Sequence, residues 1–326
     1  MINVREVAYA EALVDGLREI LAKDERAFIM GGYFLGLTPR RTLMAKLRDD
    51  FPARVWYPPI AETGYVGTAI GAAMAGLRPI VDIATASFIF HAFPQVVNEA
   101  ANIRYMTGGQ TKVPVIFHFN QGIRGGGAAQ HSHSPQAMLW NTPGLLIMAP
   151  SSPRDVQGLL RTAATCDDPV VFVDHVKLFE VTGPVSEDGT AIPFGQADVK
   201  RKGTDLTIIA TSYSVQVALA AAESLAARGV SAEVVDPRTL VPFDGDTVLA
   251  SVAKTGRAVV VDECHRRCGV GAEIAAVLAE EGFGYLRAPV RRVAALDVPI
   301  PFSRPLEEYV EPTAEKVVAA ALEIAK

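Results

Sequence analysis

The sequence is organised around Pro59-Ile60-Ala61-Glu62-Thr63-Gly64-Tyr65-Val66-Gly67, and the apolar segment continues through Gly71 and Ala75 to Gly76. Its small residues recur every four positions, which places them on one face of a predicted helix. A face of nearly bare backbone lets a second helix or a ligand approach closely. Gly76 is expected to cap this helix at its carboxyl end.

Glu62 stands at the amino-terminal end of the predicted helix. One interpretation is an exposed first-turn glutamate that the helix dipole favours. The preceding residues, Pro58-Pro59-Ile60-Ala61, are stiff and apolar, however, and indicate a carboxylate held in a fixed, dry position. Such a group is suited to exchanging a proton with a weakly basic ring nitrogen, so Glu62 is a candidate catalytic residue.

Apolar segments of strand length alternate with helical patterns on both sides of this stretch. Fully apolar strands between helices indicate a parallel sheet covered on both faces. The predicted strands are Ala27–Gly31, Ile80–Ile83, Val113–Phe117, Leu145–Pro150 and Val170–Val173. The predicted helices are Val7–Lys23, Arg40–Arg48, a mostly helical Phe88–Tyr105 that contains Pro94, and one capped by Ser151 or Ser152 that runs to about Thr165.

A second series of strands and helices begins at Leu206, after a stretch in which the regular pattern lapses. The chain is therefore predicted to be α/β, with two doubly wound domains. The first domain is predicted to span residues 1–180, the linker 181–203 and the second domain 204–326.

The composition excludes several classes of protein. With 49% hydrophobic and 21% charged residues, the 326-residue chain is globular rather than disordered. A net charge of -5 without a long basic run offers little to nucleic acid or to an anionic membrane. The longest apolar stretch, Val66–Leu77, is too short to span a bilayer, and the amino terminus lacks a signal-peptide pattern. We expect a cytoplasmic protein.

The cysteines and the glycine-rich loop are the remaining places where a site could be expected from the sequence. Cys264 and Cys268 flank a histidine and two arginines, a spacing and a charge that disfavour a metal, and Cys166 leaves no disulfide framework. Gly122–Gly127 lacks the features of a phosphate-binding loop and leads instead to His131 and His133. A histidine here is either a solvated side chain or one that meets a substrate arriving from outside.

Several motifs in order resemble one family across nearly the whole chain. They are Pro59–Glu62, Gly67–Pro79, Asn98–Ala101, Tyr105–Gln110, Gln130–Ser132 before Ser134-Pro135, Asp236–Leu240 and Gly271–Ile274. The chain resembles the beta subunit of the thiamine-diphosphate-dependent first component of 2-oxo acid dehydrogenase complexes, in the transketolase superfamily. That family includes the pyruvate, branched-chain and acetoin enzymes. The resemblance implies a pyrimidine-binding domain followed by a transketolase-type carboxy-terminal domain.

The resemblance also implies roles for individual residues. Glu62 matches the glutamate that hydrogen-bonds the aminopyrimidine ring of the cofactor. Phe88 matches the aromatic residue against that ring, and Ile60 a further contact to it. His131 matches a histidine near the reacting carbon that positions the intermediate or the lipoyl acceptor.

Metal sites follow from the same resemblance. The family has a potassium site made largely of backbone carbonyls, and the matching positions are Val115, Ala163, Ala164, Cys166 and Asp168. Cys166 stands where an aspartate is common. Magnesium binds a Gly-Asp-Gly motif that this chain lacks, since Asp244-Gly245-Asp246 has the wrong order. In the family that motif lies on an alpha subunit, so we expect half an active site in a heterotetramer of two alpha and two beta chains.

Two departures keep other functions open. Gly31-Gly32-Tyr33-Phe34 replaces a Gly-acidic-acidic pattern, and Arg287 stands where many relatives have aspartate, in the region that docks a lipoyl acyltransferase core. A guanidinium at that surface can turn attraction into repulsion. The first alternative is therefore half of a split transketolase-like carboligase. The second is a non-catalytic structural partner, against which the presence of Glu62 and His131 argues.

Overall fold

The computed structural model describes residues 4–186 and 188–325; residues 1–3, 187 and 326, which the predicted domain and linker ranges include, lie outside the described part. None of the helices described there is both long and apolar enough to cross a membrane. The strands are β1 (Val4–Ala8), β2 (Ala27–Met30), β3 (Val55–Trp56), β4 (Arg78–Thr85), β5 (Ile116–Gln121), β6 (Leu146–Met148), β7 (Val170–His175), β8 (Thr182–Ser186), β9 (Asp198–Arg201), β10 (Leu206–Ala210), β11 (Ala232–Asp236), β12 (Thr239–Val241), β13 (Ala258–His265) and β14 (Arg291–Ala295). The α-helices are α1 (Tyr9–Lys23), α2 (Thr42–Asp50), α3 (Glu62–Met74), α4 (Ala101–Met106), α5 (Ala128–His131), α6 (Gln136–Trp140), α7 (Pro153–Ala163), α8 (Ser214–Ala226), α9 (Gly245–Thr255), α10 (Val270–Glu280), α11 (Arg304–Val310) and α12 (Ala314–Ile324).

The chain divides into two compact units. Residues 1–121 and 138–194 form the first unit, in which neighbouring strands follow the order β6-β7-β5-β4-β2-β3 and pair in parallel. Strands β2, β5 and β7 are buried along their whole length, as parallel strands covered on both faces must be. This confirms the predicted sheet type.

Residues 122–137 and 195–326 form the second unit. Its sheet has the order β14-β13-β10-β11-β9, with β9 antiparallel and the other pairs parallel. Ala218 and Leu225 of α8 pack in one core cluster with Val317 and Ala321 of α12. The predicted α/β class with two α/β units is confirmed.

Local sequence signals place the helix ends well. At the end of α3, Gly76 has a φ of +97°, its N–H donates to the carbonyl of Ala73 at 2.9 Å, and the N–H of Leu77 donates to that of Ala72 at 3.0 Å. This is a Schellman motif, so the predicted glycine cap is confirmed. At the start of α7, the Asp155 N–H donates to the hydroxyl oxygen of Ser152 at 3.2 Å, which selects Ser152 as the cap.

Two segments differ from the expected strand and helix. Strand β5 begins at Ile116 rather than at Val113, because Pro114 has no N–H to donate and the Val115 N–H donates instead to the carbonyl of Val113 at 2.8 Å. The segment Phe88–Tyr105 is helical, but it changes from a 3₁₀ helix to a π-helix next to Pro94 before α4 begins.

The predicted linker, residues 181–203, contains regular structure. Strand β8 pairs antiparallel with β1, and β9 pairs antiparallel with β11. Both strands are short and lack the apolar pattern of the sheet interior, so the sequence did not reveal them. The domain boundaries proposed from the sequence stay a prediction.

Candidate active site

Glu62 is the first residue of α3, in the segment that follows β3. The N–H groups of Gly64 and Tyr65 donate to the carbonyl of Ala61 at 2.9 and 3.1 Å and start the helix. The Glu62 side chain is half-buried, and Ile60 beside it is 88% exposed. The expected dry position is therefore wrong for the chain by itself, because the described residues leave Ile60 and Ala61 open to solvent.

Tyr65 lies one helical turn after Glu62 and is affected by its charge. The phenol donates to the carbonyl of Asp82 at 3.4 Å. Burial first, and then the negative charges of Glu62 and Asp82, raise the pKa of Tyr65. The phenol therefore remains a neutral hydrogen-bond donor beside the Glu62 carboxylate.

Phe88 lies on the same edge of the first unit as Glu62. It belongs to the 3₁₀ helix Ala86–His91, directly after β4, and its ring is half-buried. The hydroxyl of Thr63 donates to the carbonyl of His91, which fastens this turn to the first turn of α3. The segments that carry Glu62, Ile60 and Phe88 thus follow the carboxyl ends of parallel strands, where α/β sheets bind ligands.

The small-residue face of α3 is largely uncovered. A methyl group added at Gly71 would meet no described atom within 4 Å, and one at Gly67 would only touch Gln95 at 3.8 Å. The close neighbour that the sequence predicts for this face is therefore absent from the part of the chain that the structure describes. This uncovered face of α3 is compatible with a close neighbour from another chain.

His131 ends the short helix α5 within the glycine-rich loop, in the second unit. The loop closes where the Gly122 N–H donates to the carbonyl of His133 at 3.1 Å. Near its middle, the Gly126 N–H donates to both carboxylate oxygens of Glu307, each at 2.9 Å. His131 is exposed and lines a cavity of about 480 Å³ formed by residues 126–131, so a substrate can reach it from solution.

Cys264 and the Asp-Gly-Asp sequence have structural roles. The Cys264 thiol donates to the carbonyl of Ser134 at 3.3 Å, and burial raises its pKa well above the ordinary value. The Asp244 carboxylate caps α9 by accepting the Thr247 N–H at 3.0 Å. Among the described residues, no group of three or more His, Cys, Asp or Glu side chains could hold a metal ion.

A buried charge network in the first unit was missed in the sequence. The His118 ring lies 3.1 Å from a carboxylate oxygen of Asp82 and 3.3 Å from one of Asp174, with all three side chains fully buried. Phe34 stacks on the ring at 4.3 Å. Burial opposes protonation of His118, but its hydrogen bonds to Asp174 and Asp82 raise its pKa. The available signal was a titratable residue within each of three mainly apolar strands, β4, β5 and β7.

The positions matched to a potassium site surround one turn of the first unit. Val115 precedes β5, Ala163 ends α7, and Ala164, Cys166 and Asp168 follow it. In this chain Arg78 of β4 reaches the turn, and its guanidinium donates to the carbonyls of Ala164 and Cys166 at 3.0 and 2.8 Å.

Arg287, on the surface that the resemblance assigns to docking, is exposed. Its N–H donates to the carbonyl of Gly256 at 2.7 Å, and its side chain runs alongside Gly256, the left-handed cap of α9. A positive charge is favourable there because carbonyl groups end the helix. Arg287 therefore also has a structural role within the second unit.

Comparisons with known protein families match both parts of the chain. The model described as the transketolase pyrimidine binding domain matches residues 5–180, and that described as the transketolase C-terminal domain matches residues 195–317. These ranges together leave out only the termini and residues 181–194.

Curated relatives match almost end to end. The pyruvate dehydrogenase E1 component subunit beta of Rickettsia felis is 40% identical and covers 98% of each chain. The acetoin:2,6-dichlorophenolindophenol oxidoreductase subunit beta of Bacillus subtilis is 37% identical over 98% of this chain and 97% of its own. Among solved structures, a split-gene transketolase, described as an inactive beta4 tetramer, superimposes with a TM-score of 0.80 at 27% identity, covering 98% of each chain.

Proposed function

The chain belongs to the family of pyruvate- and acetoin-type dehydrogenase beta subunits, and on this premise we propose that it is the beta subunit of a thiamine-diphosphate-dependent 2-oxo acid dehydrogenase. The reaction is the oxidative decarboxylation of a 2-oxo acid with transfer of the acyl group to lipoyl. The observation that carries the proposal is the accessible Glu62 carboxylate at the start of α3, on the same sheet edge as Phe88.

The residues of the first unit fit the pyrimidine half of the cofactor. Ile60 and Phe88 offer apolar surface to a flat ring, and the solvent-accessible Glu62 can hold a proton against a ring nitrogen. The bound cofactor supplies the electron sink for decarboxylation. In this proposal Glu62 moves the proton, Ile60 and Phe88 fix the plane of the ring, and His131 orients the acyl group or its acceptor.

A partner chain must supply the rest of the site in this proposal. The described residues offer no metal-binding cluster for the diphosphate half, and their large exposed apolar side chains include several in and around α3 and α4. These are Ile60, Met74, Leu77, Tyr105 and Met106. Apolar surface of this kind favours burial against another subunit. We propose an alpha subunit that carries the magnesium, in a heterotetramer of two alpha and two beta chains.

The proposal also includes a lipoyl acyltransferase core as a second partner and a cytoplasmic location. Both parts rest on the family, and the positive charge of Arg287 argues against docking to a conventional acyltransferase core. No role for nucleic acid or for a membrane is proposed, in keeping with the acidic net charge.

One observation favours a second candidate, half of a split transketolase-like carboligase. The likeness to a split-gene transketolase extends over 98% of the chain. The two functions differ in the acceptor: a carboligase passes its fragment to an aldehyde without oxidation, whereas a dehydrogenase passes the acyl group and two electrons to lipoyl, or the electrons alone to an artificial oxidant while water releases the acid. Assays of the assembled enzyme with each acceptor separate them.

The direct test of the function is Glu62→Gln in the protein assembled with its alpha partner. The amide has the shape of the carboxyl but cannot share a proton with the ring nitrogen, so we expect normal assembly and loss of 2-oxo acid decarboxylation. Glu25→Gln, at an exposed position, is the matched control and should leave the rate unchanged. Near-normal turnover by Glu62→Gln would defeat the assignment.

A further inference from the structure

Asp82 is a buried carboxylate that the reaction proposed above leaves unused. It lies near the carboxyl end of β4, and its side chain is fully buried. One carboxylate oxygen, Oδ2, accepts the N–H of Tyr33, in the loop that follows β2. The other, Oδ1, accepts the N–H of Ala84 at 2.9 Å and lies 3.1 Å from Nδ1 of His118 in β5. One side chain therefore joins three neighbouring strands of the sheet or the loops that follow them.

The backbone that Asp82 holds departs from a regular strand. Strand β4 has one residue more than β5 between the pairs Asp82–His118 and Thr85–Asn120, which makes a β-bulge. Within it Ala84 has a φ of +63°, a conformation that residues with a side chain seldom adopt. An aspartate that accepts the N–H two residues further on forms an Asx turn, which competes with regular strand structure. The Asp82 carboxylate thus stabilises the bulged form of β4.

The bulge leads directly to the residues that are proposed to contact the cofactor. Phe88 belongs to the 3₁₀ helix that begins where β4 ends. Asp82 also reaches α3, because its backbone carbonyl accepts the phenol of Tyr65 at 3.4 Å. Tyr65 lies one helical turn after Glu62. Residue 82 is therefore connected to Phe88 through the bulge and to the first turn of α3 through the phenol.

The loop that donates to Asp82 is itself held in place. The side-chain amide of Asn120 donates to the carbonyls of Tyr33 and Phe34 at 3.3 and 2.9 Å. The Phe34 ring is fully buried and stacks on the His118 imidazole, with 4.3 Å between the ring centres. The Tyr33 N–H is therefore a fixed donor, and it keeps the Asp82 carboxylate in one position.

Asp174 of β7 binds the same imidazole from the opposite side. One of its carboxylate oxygens lies 3.3 Å from Nε2 of His118, and the other accepts the N–H of His175 at 2.7 Å. Among the described residues, its hydrogen bonds thus go to β5 and β7, and none goes to the bulge or to α3. A neutral His118 can keep its proton on Nδ1 and still donate to Asp82. Asp174 is therefore a matched control for Asp82, equally buried and bonded to the same ring.

We propose that Asp82 is a positioning residue of the cofactor site. It fixes the bulge that places Phe88 and, through Tyr65, the first turn of α3 that carries Glu62. It acts through these residues and does not itself touch the pyrimidine ring. This inference rests on the proposed function, in which Glu62 and Phe88 contact that ring.

The experiment compares two carboxylate variants of the enzyme assembled with its alpha partner. Asp82→Asn replaces one acceptor oxygen by an NH₂ group, so the Tyr33 or the Ala84 N–H loses its acceptor. Misplaced catalytic groups slow the reaction without weakening substrate binding, so we expect a kcat about 10- to 100-fold lower and an unchanged KM for the 2-oxo acid. Asp174→Asn should lower the Tm as Asp82→Asn does, since each removes one charge from a buried network, but should leave kcat close to that of the unmodified enzyme.

A second measurement is independent of the reaction. In hydrogen exchange of the full chain without cofactor, the amides of residues 84–88 should exchange faster in Asp82→Asn and as before in Asp174→Asn. Equal loss of kcat in the two variants, or unchanged exchange of residues 84–88 in Asp82→Asn, would overturn the positioning role. An assembled, unmodified protein that decarboxylates no 2-oxo acid would instead defeat the proposed function, while the exchange rates would still report whether Asp82 holds the bulge.

If Asp82→Asn does not fold, variants at position 84 decide. Ala84→Val keeps the carboxylate, but a β-branched side chain disfavours a φ of +63°, so this variant should reproduce the loss of kcat. Ala84→Gly adopts the same φ without strain and should keep most of the activity. An unchanged kcat in Ala84→Val would contradict the proposal, because the bulge would then have no influence on the site.

Discussion

Glu307 should hold the loop that carries His131, and this can be tested at a single amide. Glu307 is 2% exposed, and both of its carboxylate oxygens lie 2.9 Å from the Gly126 nitrogen. A hydrogen bond to a charged acceptor contributes about 1.5 to 3 kcal/mol. Gly126 has a φ of +84°, and glycine adopts positive and negative φ about equally readily, so its own backbone preference does little to fix the loop.

The perturbation is Glu307→Ala, and the assay is native-state hydrogen exchange of the loop. Loss of 1.5 to 3 kcal/mol corresponds to an exchange rate of the Gly126 amide that is about 10- to 150-fold faster. Glu307→Gln keeps one acceptor oxygen without the charge and should give an intermediate rate. Amides of β13 should exchange as before, which separates a local opening from global unfolding.

Glu308→Ala is the matched control for this experiment. Glu308 is the next residue of α11, but it is exposed and pairs with Arg304 at 3.0 Å, away from the loop. It should leave the Gly126 exchange rate unchanged. An unchanged rate in Glu307→Ala itself, with the β13 amides also unaffected, would refute the tether.

Three other predictions concern single residues. Burial disfavours the charged form of His118, but its hydrogen bonds to Asp174 and Asp82 raise its pKa in the folded protein above 6.5. The stability that these contacts contribute is therefore full below pH 6.5 and declines as the pH rises through the folded pKa. The urea midpoint should fall over that range, and His118→Gln should remove this pH dependence. His131→Ala should keep much of the activity with an artificial electron acceptor while lipoyl acylation fails, and equal loss in both assays would place His131 in the shared early steps. Arg287→Asp should tighten binding to an acyltransferase docking domain by up to about thirtyfold in a titration at low salt, whereas weaker binding would mean that this protein's own core carries a compensating acidic residue.

Patterns that act over a few residues predicted the structure best. The apolar strands, a serine cap at Ser151 or Ser152 and the Gly76 cap all depend on residues within one or two turns; the structure confirms the strands apart from the start of β5, selects Ser152 and confirms Gly76. The Glu62 segment was placed correctly at the start of a helix. The sequence did not show that the surface around Glu62 is open to solvent in this chain by itself.

Contacts between distant segments could not be predicted in the same way. The pairing of β8 with β1 joins residues far apart in the chain, and neither strand has a strong apolar alternation. Arg78 meets Cys166 across 88 positions, and no local pattern reveals such a contact. The resemblance supplied a list of carbonyls for potassium, but only the fold shows which side chain reaches them.

Binding of thiamine diphosphate is the measurement that tests the half-site most directly. Calorimetric titration with the cofactor and magnesium should show weak binding to this chain alone and tight binding after it is mixed with its alpha partner. The physical reason is that the described residues supply the pyrimidine contacts, Glu62, Ile60 and Phe88, but no metal-binding cluster for the diphosphate. Tight, magnesium-dependent binding by the chain alone would contradict the account.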